Sequence, residues 1–352
     1  MTIDISRRSF VKTLALGAGA VAGTGLFPSA SRAAGELVAA TYPGAFEESH
    51  RKILLPAARR ATGGEIVLTP VLGSEQVAKT AAASSHPPYD VLLLDEGPML
   101  EAIPRGLFAP FPVEKAPHDA ELGAPFRSRG FGPTVTVQLI GIAYNPKKIT
   151  TPPTSWLDLW KPEYKGRVGI PHMESSLGTT FMVEVAKLKG GSEKNLAPAF
   201  AALEDLLPNV GAVAPNPGAV GTLFQQGQID IAPFYFNNTK LIAAKDVDVA
   251  FVRPESGLVL VRTSMHVAKN TEMLDRAIAY VDAALAADVQ EKLQAAPYYL
   301  VPTNAKTPFS AEIAEVVGGG ADALLKNAIP DWATINASRG DWLKEFATVV
   351  RS

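Results

Sequence analysis

The stretch between residues 135 and 170 constrains the fold more than any other. Val135 to Tyr144 is a β-branched, apolar run that predicts one long strand. Asn145-Pro146 is a turn signal, and a proline-rich connector covers 150–154. Thr154 or Ser155 can cap a short helix with Trp156, Leu157 and Leu159 on one side. Lys165-Gly166 closes that element, and Val168 to Ile170 starts a new strand. A strand that ends one run of strand–helix repeats, crosses over and starts another is what a two-lobed chain needs at its hinge.

The flanking sequence supplies both runs. Predicted strands at 37–41, 65–72 and 89–94 alternate with helical segments at 47–60 and 74–84. Pro56 should kink or end the first helix, and Gly63-Gly64 should cap it. Tyr89 to Leu94 is almost wholly apolar, as suits a parallel strand covered on both faces. Such a series predicts a parallel sheet with right-handed crossovers, and ligands bind such sheets beyond the carboxyl ends of the strands. The loops at 42–46, 73–74 and 95–96 should therefore open on one mouth. Beyond the hinge the pattern repeats, with strands at 168–170, 210–214, 229–236 and 247–252 and helices between them. A second crossing strand is expected at 258–262, and amphipathic 270–287 should return to the first lobe. The tail, with Trp332 and Trp342, should be helix packed on the second lobe.

At 352 residues the chain is long for one core, and 47% hydrophobic with 19% charged residues describes a globular protein. The formal charge of −2 and the lack of a basic cluster interleaved with aromatics argue against nucleic acid as a partner. Ser6-Arg7-Arg8-Ser9-Phe10-Val11-Lys12 matches the twin-arginine export pattern. A glycine- and alanine-rich apolar run follows over 14–27, too short for a spanning helix, and Ser31-Arg32-Ala33 offers a cleavage site. Residues 1–33 are therefore expected to be a signal peptide and the mature chain to be free in the periplasm. With no cysteine there are no disulfides, no thiol chemistry and no lipid anchored on an N-terminal cysteine.

Gly-Ile-Ala-Tyr-Asn-Pro at 141–146 and Pro-Thr-Ser-Trp-Leu-Asp-Leu-Trp-Lys-Pro-Glu-Tyr-Lys-Gly-Arg-Val at 153–168 resemble the periplasmic solute-binding proteins of ABC importers, of the spermidine/putrescine-binding type. Tyr299-Leu300-Val301-Pro302-Thr303-Asn304 fits the same family, and the resemblance spans nearly the whole mature chain. It implies an α/β, type II periplasmic binding protein fold: two α/β lobes joined by crossing strands, with the ligand cleft between them. The lobes would be 34–140 plus 263–305 and 141–262 plus 306–352. It further implies a small-molecule ligand, delivery to an ABC permease in the inner membrane, a monomer, and no cofactor.

Catalysis finds no support in the residues. The histidines at 50, 86, 118, 172 and 266 are scattered without metal-ligand spacing, and there is no nucleophile elbow or P-loop. Binding is better served. Tyr42 and Phe46 on the first mouth loop, and Tyr235 on a facing one, can stack on a ligand or hold a cation, or simply seal the interlobe core. Ser74, Ser175, Ser176 and Thr179 sit at helix N-termini, where they can meet an anionic oxygen or only cap the helix. Asn237 can hydrogen-bond a ligand or make the turn, as can Asn238, and Asp95 and Glu96 can face the cleft. Polyamine-binding relatives carry an aromatic, one residue, then an aspartate on the second crossing strand. Here those positions read Leu260 and Arg262. A guanidinium in the cleft suits a carboxylate, and opposite charges at two ends suit a zwitterion. The expected ligand is therefore carboxylate-bearing or amino-acid-like. A polyamine or other cation is the alternative, and a ferric ion at Tyr298-Tyr299 or an exported enzyme are further ones.

Overall fold

The computed structural model describes residues 35–351; the leader expected at 1–33 lies outside them. Nine strands form one sheet: β1 (Leu37–Thr41), β2 (Ile66–Pro70), β3 (Val91–Asp95), β4 (Thr134–Tyr144), β5 (Val168–Pro171), β6 (Val210–Ala214), β7 (Ile231–Tyr235), β8 (Ala250–Val252) and β9 (Val259–Val267). Their spatial order is β2-β1-β3-β9-β4-β7-β5-β6, with β8 also on β4. The strand–helix repeats at each end are parallel, β1 with β2 and β3, β5 with β6 and β7. The centre is antiparallel, because β9 returns between β3 and β4.

β4 is the element that joins the two ends. All eleven of its residues are buried, the polar Thr134, Thr136 and Gln138 among them, as suits a central strand covered on both faces. Its first half pairs with β9 and its second half with β7 and β8. The side chains divide at the same place. Val135, Val137 and Leu139 belong to one apolar cluster with Leu37, Leu93 and Ile278. Ile140, Ile142 and Tyr144 belong to another with Trp156, Phe181 and Phe234. Two cores on one shared strand make two α/β lobes. The tail divides between them: Ile313, Val317 and Leu324 pack in the first core. Trp332, Ile335, Trp342 and Phe346, on the helix Trp332–Val349, pack in the second.

Local chemistry explains the element ends. Ser155 accepts from the Leu157 amide and Asp158 from the Ser155 amide, a capping box that starts the turn Trp156–Trp160. Gly63, at φ +67°, ends the helix Leu55–Thr62 with its amide on Arg59 O. Pro56 is accommodated by a wide π turn at His50–Leu54 rather than a break, since a proline ring cannot sit over a regular preceding turn.

Candidate functional site

The carboxyl ends of the strands from both lobes converge on a cleft of about 630 Å³, part of it open to solvent. Tyr42, Phe46, Ser74 and Asp95 reach it from the first lobe, and Ser175, Ser176 and Tyr235 from the second. These seven sequence candidates are brought together as the strand-end rule requires.

Asp95 is the centre of the site. It ends β3 and occupies the position before the helix Glu96–Ala102, where an aspartate ordinarily accepts from its own helix. Here it makes no such cap. Its Oδ1 instead accepts from Gln138 Nε2 at 3.0 Å and Thr263 Oγ1 at 2.9 Å, across β4 and β9. The Ser176 and Tyr42 hydroxyls stand near enough to favour its charged form. Tyr42 Oη in turn accepts the Asp95 amide at 2.8 Å, and Gly73 makes room, since a Cβ there would lie 2.9 Å from that oxygen. Every donor is neutral. Burial therefore dominates and pushes the Asp95 carboxyl up to about 6, although Ser176, Thr263, Tyr42 and Gln138 oppose it. The same burial, with the Asp95 charge nearby, raises Tyr42 and Tyr235 well above the ordinary phenol value.

The lining carries two acids and no Lys, Arg or His among the described residues. The second acid, Glu174, stands at the rim with its side chain 70% exposed. Aromatic surface faces the pair: Tyr42 meets Phe46 edge-on at 5.6 Å, and Tyr235 closes the opposite side. Three helices open on the cleft, Gly73–Ala82, Ser176–Leu188 and Pro217–Gln225. Ser175 and Asn216 cap the last two through Gly178 N and Ala219 N, whereas the first has no side-chain cap.

Four candidates lie elsewhere. Arg262 and Glu96 form a two-pronged ion pair, Nε to Oε2 at 3.0 Å and the second prong from Nη2 to Oε1, away from the cleft. Thr263 faces Asp95, and successive strand side chains alternate, so Arg262 points to the other face. Thr179 is one turn inside its helix, fully buried, with Oγ1 on Met173 O at 2.6 Å. Asn237 belongs to the helix Phe236–Ala243 rather than a turn and is buried, leaving Asn238 to reach the cleft. Tyr298 donates to Glu48 and Tyr299 packs on Phe236, so that pair does not face the cleft either.

Sequence reasoning missed Gln138, Glu174 and Asn216. Gln138 is the one amide side chain in an eleven-residue buried strand, a signal that was available. Asn216 before Pro217 is an N-cap pattern, also readable. Glu174 carries no local signal.

Two lobes on shared crossing strands, with a polar and aromatic cleft at the strand ends, define a solute-binding protein of the two-lobed periplasmic type. Residues 86–327, more than half of the chain, match the family model described as bacterial extracellular solute-binding protein, and the chain belongs to that family. Membership makes it a solute-binding protein rather than an enzyme. A probable ABC transporter periplasmic-binding protein of Sinorhizobium fredii is 25% identical over 303 residues, 83% of this chain and 81% of that protein. The spermidine/putrescine-binding periplasmic protein of Escherichia coli is 26% identical over 207 residues, 57% of this chain and 54% of that one. A crystal structure of an ABC transporter from Clostridium perfringens superposes with a TM-score of 0.70 at 26% identity, covering 89% of this chain and 99% of that chain. No helix among the described residues is long and apolar enough to cross a membrane.

Proposed function

We propose that the protein is the periplasmic solute-binding component of an ABC importer and that its cleft takes a small solute carrying a protonated amine. The family and the description of the Sinorhizobium relative support the first part. In this reading the lobes divide near residues 140 and 262, with the tail crossing to the second core after Leu324. Capture draws the lobes together, and the closed form docks as a monomer on an inner-membrane permease. Export through the twin-arginine leader places it in the periplasm.

One observation carries the choice of ligand: Asp95 is buried in the cleft with neutral donors only. A buried carboxylate without a cation is costly, and an incoming ammonium offsets that cost. Losing one partner of such a buried charge pair typically costs about 2–5 kcal/mol, which dominates any single aromatic contact of about 0.5–2 kcal/mol. Tyr42, Phe46 and Tyr235 add a surface that favours cations. With Arg262 held by Glu96 outside the cleft, the basis for a purely carboxylate-bearing ligand is gone. The name of the Escherichia coli relative, a polyamine binder, agrees with the amine reading. A second, acidic group on the same ligand is favoured by the uncapped start of the helix at Gly73 and Ser74, which would suit a zwitterion.

Mass spectrometry of the solute that co-purifies with the periplasmic protein tests the reading. An amine-bearing solute is expected; a recovered anion without a basic nitrogen contradicts it.

A further inference from the structure

We infer that a second cavity, on the far side of the helix Glu96–Ala102, is a binding site for a small organic anion with a flat apolar body. The helix presents Glu96, Met99 and the following Ile103 to this cavity as a stripe, while Pro98 faces the amine cleft. The cavity holds about 700 Å³ of space, part of it open to solvent, and shares no lining residue with the cleft.

Its charge has the opposite sign. Arg127, Arg129 and Arg262 converge on it against the single acid Glu96. Glu96 occupies the fork of Arg262. Arg127 uses Nε and Nη2 on the carbonyls of Leu122 and Ala120, at 2.9 and 2.8 Å, which fixes it and leaves Nη1. Arg129 has no acceptor among the described residues. Guanidiniums sharing one cavity with too few acids repel one another, and an oxyanion relieves that.

A second observation is independent of the arginines. His266 lines the same cavity, is fully buried, and neither ring nitrogen has a partner. Burial pushes its pKa down to about 3, so the ring is neutral and offers one N–H and one bare nitrogen. Buried polar atoms in native proteins are almost always paired, so this unpaired ring marks the wall as one where polar groups stand unsatisfied; its nitrogens are sealed from solvent, and a guest meets them only if the wall shifts. The ring stacks on Phe108 at 4.3 Å, and Phe131 meets Phe108 edge-on at 5.9 Å. Phe131 and Met99 supply the apolar wall. A carboxylate at Arg127 and Arg129, with its flat body laid between Met99 and Phe131, fits both halves of the site.

The test is calorimetry with benzoate at low ionic strength, with benzamide and inorganic phosphate as controls, on the mature chain. Variants are Arg127→Ala/Arg129→Ala, both exposed positions, and Asp95→Asn in the amine cleft. Benzoate should bind, the controls should not, and the double variant should lose about tenfold or more in affinity. Asp95→Asn should leave benzoate binding as it is, so failure of the amine reading would not move this result. No benzoate binding, phosphate binding in its place, or benzoate binding that survives the double variant overturns the proposal.

Discussion

Replacing Asp95 by asparagine should stabilise the ligand-free protein while weakening capture of its ligand. Burial raises the Asp95 carboxyl from an ordinary value of 3.8 to about 6. The unfolded chain keeps the ordinary value, so between about pH 4 and about pH 6 the folded state holds the extra proton. The Asp95 contribution to stability is therefore most favourable at low pH, falls as pH rises through that window, and is flat above it with the full cost in place. Two pKa units at about 1.4 kcal/mol each make that cost about 3 kcal/mol, an upper bound. Asparagine keeps the shape. Its Oδ1 can accept from Gln138 and Thr263, and its amide protons can go to the Ser176 or Tyr42 hydroxyl. Urea unfolding of both forms without ligand should show the variant about 1–3 kcal/mol more stable near pH 7.5 and equal near pH 4. The same variant should lose about thirtyfold or more in amine affinity, the equivalent of about 2 kcal/mol for a buried charge pair. A variant that is less stable at neutral pH, or whose gain does not change with pH, would refute the reasoning about desolvation.

Other outcomes follow from the same geometry. Amine affinity of the wild-type protein should fall as pH drops below about 6, approaching tenfold per pH unit, because binding then requires loss of the Asp95 proton; calorimetry across that range reads it directly. Arg262→Ala should leave amine affinity within about twofold, since the site lies on the other strand face and distant sites act additively. Gly97→Ala should destabilise the chain by about 1–3 kcal/mol in denaturant unfolding, through overpacking. A Cβ at Gly97 would stand 2.6 Å from the ring of fully buried Trp332, which anchors the C-terminal helix to the second core.

The arrangement of the cleft was legible because strand ends mark it. Periodicity places β1, β3 and the two hinge-side strands, and the loops after them supply Tyr42, Phe46 and Asp95 without any three-dimensional knowledge. Arg262 was misplaced for a physical reason: a shift of one residue along a strand reverses which face a side chain occupies, and alignment from a loop does not fix that register. Thr263, not Arg262, shares the face of Asp95. Glu96 went wrong with it, because the partner that draws it away is 166 residues distant in the chain. Asn237 is expected from the sequence to meet the ligand or make a turn because Phe-Asn-Asn-Thr has little intrinsic helix preference; packing of Phe236, Leu241 and Ile242 overrides that and buries it in a helix. The division of the tail between two cores depends on tertiary contacts and leaves no local trace.

Calorimetry of the mature protein near pH 7.5 with putrescine, butylamine, γ-aminobutyrate and butyrate tests the central claim most directly. An amine-bearing member of the set should bind, at one site that Asp95→Asn abolishes or weakens strongly, and butyrate should not. Binding of butyrate at that site, or of none of the amines, would contradict the assignment of Asp95 as the counter-charge of the ligand.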